Sequence, residues 1–267
     1  MKLSVIIRCK EDKRVFDCIE SIDQDVAIIV VLGENDSLKN QLEQMNISCY
    51  VSPPGNLSLV SNIGFLAAKT EKVIITDSDT VFYPGCIRKI NEALDKYKVA
   101  RAKLIFKSCK KVILSKQVSE ARNFVNSLPV VYTPGVGLRK DILPDVGGFL
   151  FNENVPFAVD ADLDYRIKMA CLDIAFLNDA LVQHDCEKLK HDLKAARRIG
   201  RGCRKSAETL GHIYVNTNVN SIGKYMKGVK TRHYPSIIKD KGISVFLYQL
   251  IWDCNFYFGY NCQRLKL

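Results

Sequence analysis

Residues Val73-Ile74-Ile75-Thr76-Asp77-Ser78-Asp79-Thr80 decide how this chain is read. Four β-favouring residues run directly into two aspartates one residue apart. An apolar run without polar alternation suits a strand buried on both faces, as in a parallel sheet. Comparable runs stand at Ser4–Arg8, Ala27–Leu32 and Ser48–Val51. Helical patterns separate them at Arg14–Ile22, Leu38–Gln44 and Ser58–Lys69, and another follows at Pro84–Tyr97. Such alternation predicts an α/β, doubly wound sheet. Ligands in these sheets bind beyond the carboxyl ends of the strands, where Asp77 and Asp79 stand. Two carboxylates there can face one hard cation, Mg²⁺ or Mn²⁺, which takes oxygen ligands and keeps positions open for phosphate oxygens. Taken alone, the pair reads as a polar turn ahead of the helix at Pro84.

The chain has 267 residues, 47% hydrophobic and 25% charged, which excludes disordered, collagen-like and coiled-coil classes. Its formal charge of +10 is unevenly spread. Residues 1–185 hold 23 Lys and Arg against 24 Asp and Glu, whereas residues 186–241 hold 14 against 4. The surplus is therefore a C-terminal patch. Ten cysteines occur without C-x-x-C or zinc spacing, which suits free thiols in a reducing compartment. The apolar run at the start is too short for a signal peptide, and no segment has the ~20 apolar residues of a membrane span.

Beyond residue 98 the pattern predicts a strand at Val99–Phe106, a helix around Gln117–Asn126 and a strand at Val130–Tyr132. A Gly- and Pro-rich loop follows at Thr133–Gly137, with another at Asp145–Phe149. A helix is expected at Asp160–Cys171, strands at Ile174–Leu177 and Leu181–His184, and a basic helix at Lys188–Lys205. Charge places a division at residue 185, giving a catalytic domain over 1–185 and a basic, mainly helical extension over 186–267.

Four motifs occur in order over residues 1–185. The first is Ser4-Val5-Ile6-Ile7-Arg8 with Cys18-Ile19-Glu20-Ser21-Ile22; the second is Asn62, Gly64, Ala67 and Ala68 ahead of the D-x-D strand. The third is Gly147-Gly148-Phe149 followed by Asp160-Ala161-Asp162-Leu163-Asp164-Tyr165-Arg166, and the fourth is Val182-Gln183-His184. Together they resemble the family 2 glycosyltransferases. The resemblance implies the GT-A fold, a Rossmann-like, mostly parallel central sheet with helices on both faces. It departs at Ser61, where the family carries Arg or Lys, and at Val159, where it carries Glu. The acidic residue expected directly after the second strand is displaced to Glu34 or Asp36.

What the resemblance implies is inverting transfer of a sugar from a nucleoside-diphosphate sugar to an acceptor hydroxyl. A divalent Mn²⁺ or Mg²⁺ would sit at Asp79, with Asp77 and His184. Arg8, Glu34, Asp36, Asn62, Asp77, Asp79 and Arg166 become candidates for donor binding. The general base is carried to Asp160, with Asp162 as the alternative. Read without the resemblance, Asp160 is an N-cap, and Asp162 with Arg166 a surface i,i+4 pair worth about 0.3–0.5 kcal/mol. A nucleotidyltransferase is the rival enzyme, but Arg8–Arg14 lacks the Gly-rich phosphate loop it needs. A non-catalytic membrane-surface binding protein is the third reading.

The expected acceptor is a glycan or a lipid-linked sugar, and the expected location cytoplasmic. The basic region is followed by Ile243-Ser244-Val245-Phe246-Leu247-Tyr248-Gln249-Leu250-Ile251-Trp252 and by Phe256, Tyr257, Phe258 and Tyr260. This order suits peripheral attachment to an anionic membrane face, with Trp and Tyr at the interface. The opposing reading packs the tail on the core. Nucleic acid ranks low as a partner, since zinc ligands and an RNA-binding aromatic signature are lacking.

Overall fold

The central strand β1 (Leu3–Cys9) is buried along its whole length and alternates its side chains between two cores. Val5 and Ile7 join one apolar cluster, and Ile6 joins the other, as the period of two requires. The computed structural model describes residues 2–34, 36–213 and 233–262, with the side chains of Asp36 and residues 210–213 outside that set.

From β1 the chain passes through α1 (Val15–Glu20), β2 (Ala27–Leu32), α2 (Asp36–Gln44) and β3 (Ser48–Val51). It returns through α3 (Leu57–Ala67) to β4 (Lys72–Asp77) on the other side of β1. After β4 come β5 (Thr80–Phe82), α4 (Cys86–Ala93), β6 (Val99–Phe106), α5 (Ser115–Asn126), β7 (Val136–Arg139), α6 (Val159–Met169) and β8 (Ile174–His184). The described strands form one eight-stranded sheet in the order β3-β2-β1-β4-β7-β6-β8-β5. Strands β3, β2, β1 and β4 are parallel, as are β6 and β8, while β7 and β5 run antiparallel to their neighbours. The chain leaves β1 first to one side and then to the other, so the β1–β4 carboxyl edge is a topological switch point.

One apolar cluster packs α1, α2 and α4 on one face of the sheet, through Val15, Leu38, Leu42, Ile87 and Ile90. The other packs α3 and α6 on the opposite face, through Phe65, Leu163 and Ile167. The expected α/β sheet with helices on both faces is therefore the observed one.

Several elements differ from the expectation. The segment Val130–Tyr132 is not a strand; the Val131 N–H is satisfied by Asp164 Oδ1 at 2.8 Å instead of by a ladder. The expected Gly-Pro loop ends in β7, where Gly137 lies so close to α4 that a Cβ would meet Ile90 Cγ2 at 2.3 Å. The two strands expected at 174–177 and 181–184 are one strand, β8, with a bulge opposite Ala102 and Lys103.

C-terminal helices α7 (Leu189–Ile213), α8 (Tyr234–Lys241) and α9 (Ile243–Asn261) pack on α5 and α6. Tyr248, Trp252 and Phe256 enter this third cluster, so these aromatics are core and not membrane-interface residues. That part of the membrane expectation is corrected, and the packed-tail reading holds for this face of α9. The basic stretch 214–232 lies outside the described residues. All ten cysteines are free. No helix among the described residues is long and apolar enough to cross a membrane.

Candidate functional site

The site is assembled at the carboxyl edge of the sheet. Arg8 is the penultimate residue of β1 and Asp77 ends β4, and the parallel register sets them side by side. The Arg8 Nε donates to Asp77 Oδ1 at 2.7 Å, and its other nitrogens reach Thr133 Oγ1 at 2.9 Å and Ser61 Oγ at 3.4 Å. Arg8 is thus a buried cation whose charge is matched by a half-buried carboxylate. Its reach to Ser61 sets a positive charge next to the position where the sequence lacks the expected Arg or Lys.

The turn after Asp77 is held rigidly. Ser78 N–H donates to the Arg8 carbonyl at 3.0 Å, and the Thr80 hydroxyl donates to the Asp77 carbonyl at 2.7 Å. Strand β5 then pairs antiparallel with β8, matching Thr80 with His184. This pairing, which the sequence did not announce, brings Asp79 to 3.3 Å from His184 Nε2. The imidazole also stacks on Phe106, with centroids 4.7 Å apart, and lies 3.9 Å from Glu187 Oε1.

Asp79, His184 and Glu187 place one ligand atom each within 4.8 Å of one another. Burial pushes the Asp79 carboxyl above its ordinary value; His184 and Arg14 oppose this, while Asp77 and Glu187 add to it. Burial is the largest influence on His184 and works against the charged imidazole, but Asp79, the Asp185 carbonyl, Glu187 and Asp77 together outweigh it, so the imidazole lies above its ordinary value. The group therefore gathers carboxylates around a partly buried imidazole. Two carboxylates and one imidazole fit Mn²⁺ or Mg²⁺, and the nitrogen donor favours Mn²⁺ of the two. Asp77 does not belong to this group; its carboxylate faces Arg8, and Glu187 takes the third place. Sequence reading missed Glu187, although its spacing three residues after His184 was the available signal. It also missed Arg14, whose guanidinium lies 3.5 Å from Asp79 and 3.0 Å from Asp185 at the rim.

Asp160 is not the N-cap; α6 begins one residue earlier, after Ala158, whose left-handed φ of 62° turns the chain into the helix. Asp160 lies in the first turn, where Oδ1 accepts the Ala161 N–H at 3.1 Å. It keeps a narrow opening to solvent but is closely surrounded. Burial pushes its carboxyl up, the Arg8 charge works the other way, and Asp77 adds to the upward push. Arg8 and Asp77 therefore both influence the charge on Asp160.

The remaining candidates have different duties. Asp162 and Arg166 are not a surface pair: both are fully buried, 1% and 0% exposed at their side chains, and joined at 2.9 Å. Asp162 Oδ1 also accepts from the Ser206 hydroxyl at 2.7 Å. Arg166 donates to the carbonyls of Val146 and Phe149 at 2.7 and 2.9 Å, and to that of Leu150. It lies 4.5 Å over the Phe149 ring. Arg166 thus secures the Gly147-Gly148 turn, and its guanidinium nitrogens are all engaged by Asp162 and these carbonyls. Asn62 likewise clasps the loop ahead of α6, donating to the Phe151 carbonyl at 2.9 Å and accepting the Phe151 N–H at 3.1 Å. Two residues on, a Cβ at Gly64 would meet Ile6 Cγ2 at 2.3 Å, so this glycine lets α3 lie against β1. Glu34 is exposed just beyond β2, and the Asp36 side chain lies outside the described residues.

No family model and no curated protein sequence matches this chain. Its fold is similar to that of S. aureus TarS, with TM-score 0.52 and 15% identity over 97% of this chain and 55% of that one. The chain thus spans about half the length of that neighbour. A structure of TarS residues 1–349 matches with TM-score 0.51 and 17% identity, covering 97% of this chain and 89% of that one. TarS 1–349 in complex with UDP-GlcNAc matches with TM-score 0.52 and 16% identity over the same shares of the two chains. At these identities the likeness extends to the fold: a curled α/β sheet wrapped by helices with a helical C-terminal part.

Proposed function

We propose that the chain is an inverting glycosyltransferase that moves a sugar from a nucleoside-diphosphate sugar to an acceptor hydroxyl. The observation that carries this reading is the meeting of Asp79, His184 and Glu187 with Asp160, Asp77 and Arg8 at one switch-point edge. It is supported by a similar fold that holds UDP-GlcNAc, a nucleoside-diphosphate sugar.

The acceptor hydroxyl is too weak an acid to ionise unaided, so a carboxylate must take its proton as it attacks the anomeric carbon. Asp160 is assigned that role: its raised affinity for a proton strengthens it as a base, and the Arg8 charge favours its ionised form. Attack comes from the face opposite the leaving diphosphate, which inverts the anomeric centre. Asp77, oriented by Arg8, is assigned to the donor's ribose. Asp79, His184 and Glu187 would hold Mn²⁺ or Mg²⁺, which when bound supplies positive charge to the diphosphate. Arg14 stands at the rim, where its guanidinium can add to that charge. A glycan or lipid-linked acceptor belongs to the same proposal, its hydroxyl approaching through the partial exposure that Asp160 keeps.

The test is release of nucleoside diphosphate from a panel of nucleotide sugars with Mn²⁺. Turnover of one donor, lost in Asp160→Asn and Asp79→Ala, is the expected result. Turnover retained in Asp160→Asn overturns the assignment of the base.

A further inference from the structure

Helices α7 and α9 lie side by side and run in the same direction. The Tyr248 hydroxyl donates to Asp192, Gly200 abuts the Phe256 carbonyl, and Arg204 lies over the Tyr260 ring. While α9 turns Val245, Tyr248, Trp252 and Phe256 inward, it leaves Ile243, Leu247, Ile251 and Phe258 outward, at 66%, 52%, 52% and 46% exposure. Successive members stand about one or two helical turns apart, so they form a single apolar stripe. Beside it, α7 exposes Lys190, Lys194, Arg197, Arg201 and Lys205, again at helical spacing. Arg197 joins the two stripes: its Nε donates to Asn255 Oδ1 at 2.7 Å, and its guanidinium lies 5.2 Å from the Phe258 ring centre.

The acidic residues described on these helices do not offset this face. Asp192 and Asp253 are buried, and Glu208 is taken by Arg204 at 2.8 Å. An exposed apolar stripe alone fits several partners, but the cation row beside it selects among them. A second copy meeting this face about a two-fold axis would bring like charges together. An anionic bilayer satisfies both stripes at once: apolar side chains enter the headgroup–acyl boundary, and Lys and Arg stay among the phosphates with their stems along the apolar surface.

We infer that the α7–α9 face docks on the surface of an anionic lipid bilayer. Ile243, Leu247, Ile251 and Phe258 enter the boundary region, and the five α7 cations contact headgroups. Of the aromatic residues that suggested a membrane from sequence, Phe258 is used, whereas Tyr248, Trp252 and Phe256 are buried. Since α7 starts two residues after Glu187, the docked helix also holds the candidate site near the bilayer.

The test is flotation of the intact chain with vesicles of phosphatidylcholine and phosphatidylglycerol, against pure phosphatidylcholine, over a salt series. Flotation with the anionic vesicles, weakening as salt rises, is expected. A Leu247→Ser, Ile251→Ser variant should keep the parent melting midpoint and lose about tenfold or more in partition. A Lys194→Glu, Arg201→Glu variant should lose a similar factor at low salt. No flotation at low salt overturns the proposal, as does flotation indifferent to the Leu247 and Ile251 changes. Sedimentation velocity gives the remaining outcome: a dimer abolished by those same changes, without vesicle binding, would make the stripe a self-contact and overturn the bilayer assignment. None of these results depends on the donor reading, because nucleotide binding is measured separately.

Discussion

Replacing Asp162 by Ala should unfold the chain at a much lower temperature, whereas Asp160→Asn should spare the fold and abolish turnover. The two carboxylates stand two residues apart, yet their surroundings differ completely. Asp162 holds the guanidinium of Arg166 at 2.9 Å, with neither side chain more than 1% exposed, and accepts from Ser206 at 2.7 Å. Removing it strands a buried cation. Breaking a buried pair from one side costs about 3–5 kcal/mol. For a chain of this size each kcal/mol moves the melting midpoint by about 2–4 °C, so a fall of about 6–20 °C is expected. Arg166 also secures Val146, Phe149 and Leu150, so loosening it should free the Gly147-Gly148 turn. In contrast, an amide at 160 can still accept the Ala161 N–H and leaves no partner unpaired. Loss of a general base costs about 10²–10⁴-fold in rate. Scanning calorimetry and donor turnover on both variants read out the difference. If Asp162→Ala melts with the parent and loses turnover, the buried-pair account is refuted and Asp162 becomes the functional carboxylate.

Other outcomes follow from the same geometry. Because burial raises the Asp160 carboxyl and the base must be ionised, kcat/KM should fall with decreasing pH along a limb lying above the ordinary carboxylate value of 3.8; a limb at or below that value would contradict the assignment. A raised carboxylate costs stability only when ionised, so the penalty is absent below pH 3.8, builds towards the folded-state value and persists above it. Asp160→Asn should therefore be at least as stable as the parent near neutrality and equal to it in acid, as denaturant titrations at two pH values would measure. Glu187→Gln should raise the Mn²⁺ concentration for half-maximal binding by about tenfold or more, read by paramagnetic resonance of the free ion; an unchanged value would remove Glu187 from the ligand set. Gly64→Ala places a methyl 2.3 Å from Ile6 Cγ2, so urea unfolding should show a loss of about 1–3 kcal/mol, and no loss would refute the tight α3–β1 contact.

The parallel half of the sheet was legible because both its faces are buried. Strands β1, β2 and β4 read as unbroken Val and Ile runs, and their ends fell within a residue or two of expectation. Strands β5 and β7 were not legible. One has three residues and follows an acidic turn; the other contains Gly137, which propensity assigns to a loop but which α4 requires at close approach. Within the site, Asp79 and His184 could be named from motif order, but their closeness depends on the β5–β8 pairing. Glu187 escaped because it follows the strand, where only the fold tells that the chain turns back. The interior position of Asp162 and Arg166 was hidden for a different reason. Helix α6 packs polar residues inside as well as apolar ones, so periodicity could not tell its buried face from its solvent face. The tail was half legible: sequence gave the basic-then-aromatic order, while packing decided which of its residues face inward.

The most direct test of the account is calorimetric titration of the purified chain with nucleoside diphosphates and their sugars, with and without Mn²⁺. Saturable binding of one nucleotide is expected, strengthened by Mn²⁺ and abolished in Asp79→Ala, with that variant's fold intact by melting. No binding of any nucleotide in the presence of Mn²⁺ would contradict it.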